Sequence, residues 1–332
     1  MISINNKIFL LFIIAAAFCT AGCQERSRSS VPVKKTETNT TLKSRKVYTS
    51  SIRDIELLFE DINYSMKRWN EGEREVPRIY ITDISTRWQK QSQKMDVKLK
   101  KAIFFQLTLP LVLHANELIL QERKCLMGYL NKHDRLNAEE KQWLLDIAKK
   151  YKVVKKDSNE TLGDKQLSML KRRVNVIPPS LALAQAAEES GWGTSRFAIL
   201  GNSLFGQWAF SKNAMRPKRQ RSELGDYGLA RFKTPQDAVN AYMLNLNTHR
   251  AYKKMRTYRS RLIDEEKKVS GYELAKMLDK YSERGQAYVD SLHAMMRINH
   301  LGDTDDAYLW NRGDILMIPL KKARASEKSK AI

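Results

Sequence analysis

The sequence predicts a mainly helical protein, and three observations carry that expectation. Apolar residues recur at helical spacing, as in Ile52, Ile55, Leu58, Phe59 and Ile62, and again in Trp143, Leu144, Ile147 and Tyr151. Capping-box pairs, Asn137 with Glu140 and Ser270 with Glu273, head two further helical stretches. Finally, Ile177-Pro178-Pro179-Ser180 forces an extended approach to an Ala-, Leu- and Gln-rich run of high helix propensity, which Gly191 can end in the left-handed conformation. This helix is expected to start at Ser180, with the Ser180 hydroxyl as its cap, and its last turn carries Glu188 and Glu189. A carboxylate at the negative end of a helix dipole is disfavoured. If Trp192 and its neighbours also exclude water, both effects push the carboxyl toward the protonated form that a general acid needs.

Taken in order, the chain opens with Lys7, an apolar run from Ile8 to Cys19, and then Thr20-Ala21-Gly22-Cys23. That pattern reads as a lipoprotein signal peptide over residues 1–22 with Cys23 as the lipidated residue, the apolar run being shorter than the ~20 residues of a membrane span. Cys19 would leave with the signal and Cys23 would carry lipid, so no intramolecular disulfide is expected, and Cys125 reads as a small buried hydrophobe. Residues 23–50, rich in Ser, Thr, Lys and Arg, are expected to form a disordered tether. An all-helical module should follow over 51–160; its most apolar stretch, 102–120, reads as a buried helix kinked at Pro110. The polar, turn-rich segment from Lys152 to Gly163 marks a boundary, a second domain is expected over 161–305, and 306–332 is expected to be a basic tail, mobile from Lys321.

Charge and composition exclude several classes. Apolar residues make up 42% and charged residues 29%, as in an ordinary soluble globular protein. Losing Lys7 with the signal lowers the net charge from +22 to +21. An exported chain of that charge meets anionic lipid headgroups and a cell wall carrying peptide carboxylates, and no recognition helix or RNA-binding aromatic motif is present, so nucleic acid is not an expected partner. His114, His133, His249, His293 and His300 show no zinc-type spacing, and there is no phosphate loop or nucleophile elbow, so neither a metal nor a cofactor is expected.

The run Ala184-Gln185-Ala186-Ala187-Glu188-Glu189-Ser190-Gly191-Trp192-Gly193, with Asn202-Ser203-Leu204-Phe205-Gly206 after it, closely resembles the core of the bacterial mannosyl-glycoprotein endo-β-N-acetylglucosaminidase family, which cleaves peptidoglycan. Within that family the chain is similar to the Bax-like branch. The resemblance is specific over about 166–300 and weaker upstream, at Val76-Pro77-Arg78-Ile79-Tyr80 and from Phe105 to Asn116. It implies a lysozyme-like α+β domain with a small β-hairpin lobe, and it places the general acid at Glu189. Glu188, about 100° away around the helix, should be solvated or ion-paired. The second carboxylate would come from Ser222 to Gly228, with Glu223 favoured over Asp226. The resemblance further implies groove aromatics at Trp192, Phe205, Trp208 and Phe210, of which Phe205 should pack in the core. Asn202 would brace the turn, and the tyrosines at Tyr252 and Tyr281 match the family by position. The function so implied is hydrolysis of β-1,4 bonds next to N-acetylglucosamine in peptidoglycan. The enzyme would act from a lipid anchor in the outer membrane, facing the periplasm, or free in the periplasm. Two rivals stay open: a lytic transglycosylase that closes an anhydro ring, and a non-catalytic peptidoglycan-binding lipoprotein.

Overall fold

The computed structural model describes residues 44–132, 135–209, 213–217 and 227–320. Cys23, His133, Phe210, Glu223 and Asp226 lie outside them. Helices are α1 (Ile52–Asp61), α2 (Met66–Asn70), α3 (Thr86–Ser92), α4 (Val97–Lys132), α5 (Ala138–Lys150), α6 (Asp164–Arg173), α7 (Pro179–Ser190), α8 (Arg196–Gly201), α9 (Pro235–Thr248), α10 (Lys253–Asp264), α11 (Gly271–Ala275) and α12 (Gln286–Ile298). Short strands accompany them: β1 (Arg45–Thr49), β2 (Glu75–Val76), β3 (Ile79–Ile81), β4 (Trp208–Ala209), β5 (Gly228–Leu229), β6 (Tyr308–Leu309) and β7 (Ile315–Pro319). The expected class, mainly helical with a small β component, holds.

The centre of the molecule is α7. Its residues from Pro179 to Ala187 are buried, as is Ser190, which follows from a sequence that is apolar on every side. The helix begins at Pro179, one residue earlier than expected, and Ser180 does not cap it. Proline is suited to the first helical position, where its missing N–H loses nothing. The free amides are met instead by Asp305, which accepts from the Ser180 N–H at 2.8 Å and the Ser180 hydroxyl at 2.8 Å. The same carboxylate accepts from the Gly271 N–H at 3.1 Å, so it also holds the start of α11.

Helix α4 is long and apolar enough to cross a membrane by length and composition, yet 67% of its apolar window is buried inside the protein. Pro110 sits within it. Asn116 on α4 donates to the Ile177 carbonyl at 2.8 Å and accepts from the Ile177 N–H at 3.1 Å, pairing with the segment that leads into α7 as a strand neighbour would. That segment is fixed from the other side by Arg259, which is buried and donates to the carbonyls of Arg172 and Val176 and to the Asn247 side chain.

Three expectations about organisation are corrected. The described residues form one packing unit, so no gap separates 51–160 from 161–305; α4 packs on α7 and α9 across that boundary. Residues 45–49, expected within the tether, form β1, because they pair in parallel with β7. Part of the expected 306–332 tail is folded for the same reason: β7 is the middle strand of a sheet of order β1-β7-β3, and β6 pairs with β2.

Candidate functional site

The site grows from the end of α7. Gly191, Trp192 and Gly193 all have positive φ, at 56°, 61° and 72°, which reverses the chain within one turn. Gly191 ends the helix as expected. Trp192 has a side chain and still adopts the left-handed region, at a cost of about 1–2 kcal/mol. Two contacts offset it: its N–H donates to the Ala187 carbonyl at 3.0 Å, and its own carbonyl accepts from Trp88 Nε1 on α3 at 2.9 Å. Gln89, also on α3, donates to the Thr194 carbonyl at 2.8 Å. The upstream helices therefore brace the turn that follows the glutamates.

Glu188 and Glu189 diverge as their helix positions require. Glu188 pairs with Arg284 at 2.7 Å, as expected. Glu189 points inward, and its Oε1 accepts from the Tyr288 hydroxyl at 2.9 Å. Burial pushes the Glu189 carboxyl above the ordinary carboxylate range; the Tyr288 hydrogen bond opposes that shift, the neighbouring Glu188 charge adds to it and Arg284 opposes it. The Phe205-Gly206 turn passes close to the carboxylate. Gly206 has φ of 58°, and a Cβ added there would stand 3.5 Å from Glu189 Oε2, so glycine both permits the turn and leaves the carboxyl face open.

Behind Glu189 runs a chain of oriented groups. The Tyr242 hydroxyl donates to Gln185 Oε1 at 2.6 Å, Gln185 Nε2 donates to the Tyr288 hydroxyl at 2.9 Å, and Tyr288 donates to Glu189. Because Gln185 already supplies a donor to Tyr288, the Tyr288 proton is committed to the carboxylate. Burial raises the pKa of Tyr242, Tyr281 and Tyr288, so these phenols stay neutral. Tyr281 stacks on Tyr288, with centroids 5.4 Å apart and planes 2° from parallel, and Tyr252 lies 5.7 Å from Tyr281. The Tyr281 hydroxyl donates to the Phe205 carbonyl at 3.3 Å.

The sequence-expected site residues thus divide. Glu189, Tyr281 and Tyr252 meet in one cluster. Phe205 is buried and stacks on Tyr242 at 3.9 Å, in the core as expected. Asn202 is a brace: its Oδ1 accepts from the Ile84 N–H and its amide donates to the carbonyls of Phe232 and Lys233, which leaves it no part in a groove. The Trp192 ring packs edge-on against Phe104 and Phe105 of α4 with Lys101 over its face, so it holds α7 to α4. Trp208 is 53% exposed and stacks on Tyr227 at 5.0 Å, an open platform on the antiparallel pair β4–β5. Sequence reasoning missed Tyr288 and Gln185. Gln185 lies one helical turn before Glu189, and that spacing was the available signal.

A family model described as mannosyl-glycoprotein endo-beta-N-acetylglucosaminidase matches residues 165–301. Protein bax of Escherichia coli (strain K12) is 33% identical over 200 residues, which are 60% of this chain and 70% of that protein. Among solved structures, the catalytic domain of the autolysin Auto from Listeria monocytogenes is similar over 53% of this chain and 92% of its own, at 16% identity and a TM-score of 0.31, a likeness too loose to argue from. The glutamate helix and its tyrosine cluster fall inside the family match, and with the identity to bax this shows that the chain belongs to the mannosyl-glycoprotein endo-β-N-acetylglucosaminidase family of glycoside hydrolases, in its Bax-like branch.

Proposed function

We propose that this protein hydrolyses β-1,4 bonds at N-acetylglucosamine in peptidoglycan, with Glu189 as general acid. The observation that carries the proposal is the half-buried Glu189 carboxyl, raised in pKa and held by Tyr288 at 2.9 Å. A carboxyl that holds its proton more tightly than an exposed one can deliver it to the leaving glycosidic oxygen as the C–O bond breaks. A second carboxylate then serves the oxocarbenium-like centre, as base toward water or as nucleophile. Glu223 is the first choice and Asp226 the second; both fall in sequence between β4 and β5. Trp208, exposed on β4, is suited to stack on a sugar face.

The test is digestion of purified peptidoglycan, with the products read by mass spectrometry. New reducing N-acetylglucosamine ends are expected. Anhydro-N-acetylmuramic acid would instead favour a transglycosylase, and binding without release a non-catalytic wall protein. Glu189→Gln should lower turnover ~100-fold or more, the scale of general acid catalysis, while Glu188→Gln keeps most of it. Wild-type rates from Glu189→Gln would overturn the assignment. We also propose that Cys23 carries the lipid that anchors the enzyme at the outer membrane. Cys23→Ser should move the protein from the membrane to the soluble fraction, and lipid labelling that persists in the variant would refute the anchor.

A further inference from the structure

A groove whose lining includes neither Glu189 nor the clustered tyrosines runs along α10. It encloses about 600 Å³ between the exposed face of α10 and the segment that ends at Lys280. Five cations line it, Arg250, Lys253, Lys254, Arg261 and Lys280, against one carboxylate, Asp279. Among the described residues Arg261 approaches Glu265 at 3.8 Å, whereas Arg250, Lys253, Lys254 and Lys280 enter no ion pair. Such a surface is not explained by internal charge balance. Its position is equally specific: Arg250 and Lys280 are within two residues of Tyr252 and Tyr281, whose rings lie 5.7 Å apart, and Tyr281 stacks on the Tyr288 that holds Glu189. From Lys253 to Arg261 the helix rises ~12 Å, which matches about three to four residues of an extended chain.

We propose that this groove binds the carboxylate-bearing peptide attached to the glycan strand, so that the enzyme selects strands whose peptides carry free carboxylates. The inference rests on the function proposed above, since it takes the strand to lie across Glu189. Where the strand carries peptides, its lactyl carboxyls are consumed in amide bonds, so the charge these cations can meet sits on the peptides. The peptides that branch from its lactyl groups carry free carboxylates at intervals, and a strand crossing the tyrosines would bring one beside Arg250 and Lys280. Lysine is suited to this use, because a point charge on a flexible stem accepts carboxylates at varied spacing. Exposed pairs of this kind are individually weak and screened by salt, so the selection is collective and strongest at low ionic strength.

The experiment separates binding from cleavage. Full-length protein is sedimented with intact peptidoglycan sacculi, with the same sacculi after carbodiimide coupling has converted their carboxylates to neutral amides, and with vesicles containing phosphatidylglycerol. Wild type should bind intact sacculi about tenfold more tightly than the neutralised sacculi at low salt, and the difference should shrink as salt is raised. The triple substitution Lys253→Gln, Lys254→Gln and Lys280→Gln should abolish that preference, and the matching triple arginine substitution should retain it. The proposal is overturned if the glutamine variant keeps the preference, if it loses binding to neutralised sacculi to the same degree, or if only vesicle binding falls, which would make the groove a membrane contact. Absence of released fragments together with an intact peptide preference would refute the hydrolase reading and leave the groove standing.

Discussion

Glu189 is placed so that its environment works against its charge. A carboxyl whose pKa is raised on folding holds its proton in the native chain at pH values where the unfolded chain has already lost it, so this group's contribution to stability falls as pH rises through that window. Glu189→Gln removes the titration while its side-chain oxygen still accepts from Tyr288. The variant should therefore lose activity and yet melt at the same or a higher temperature than wild type near neutral pH, with the gain vanishing in acid. Melting curves across pH check this, and a variant less stable than wild type at neutral pH would contradict it. Tyr288→Phe acts in the other direction. It removes the hydrogen bond that holds the carboxyl down, so the alkaline limb of the pH–rate profile should move to higher pH. It also leaves Gln185 Nε2 without its acceptor, at a cost of about 1–3 kcal/mol read by chemical denaturation. Glu189 itself was legible, because glutamates before Ser-Gly-Trp-Gly at a helix end form a local pattern. Tyr288 was not: it shares the face of α12 with Val289, Leu292 and Met296, and at that spacing a phenol turned toward the site is indistinguishable from one turned into the core.

At the scale of the element, the local signals held and the distant ones were hidden. The Asn137–Glu140 box is reciprocal, as its spacing implied. Ser270 does cap α11, but the Glu273 carboxylate turns to Tyr258 and Lys276 and not back to the cap. Ser180 stands where a cap would stand, yet its hydroxyl is taken by an aspartate 125 residues on, and no window of sequence shows that. Asp305 thus fixes the starts of two helices at once. Asp305→Ala should leave the Ser180 and Gly271 amides without their acceptor and lower unfolding free energy by about 1–3 kcal/mol, measured in urea, with Asp305→Asn losing less. An Asp305→Ala chain as stable as wild type would show that water replaces the carboxylate at both amides.

In the whole molecule, β7 is the piece that joins distant parts. It lies between β1 and β3 with all its pairings parallel, and short parallel strands separated by most of the chain carry no hairpin signal, which is why residues 45–49 and 315–319 read as unstructured. Removing residues 311–332 should lower the melting temperature and open the chain to proteases near β1 as well as near the cut; removing 321–332 alone should do neither. Equal melting temperatures for the two truncations would refute this role of β7. The same long reach sets an order of events during folding. The Asp314 N–H bonds to Ser44 across 270 residues, and contacts so far apart in sequence form late because the intervening loop must close first. Since α7 is gripped upstream by Asn116 and capped downstream by Asp305, a chain in which Asp305 has not yet docked carries its glutamate on a helix with an open start, and the site is complete only once that distant contact has formed.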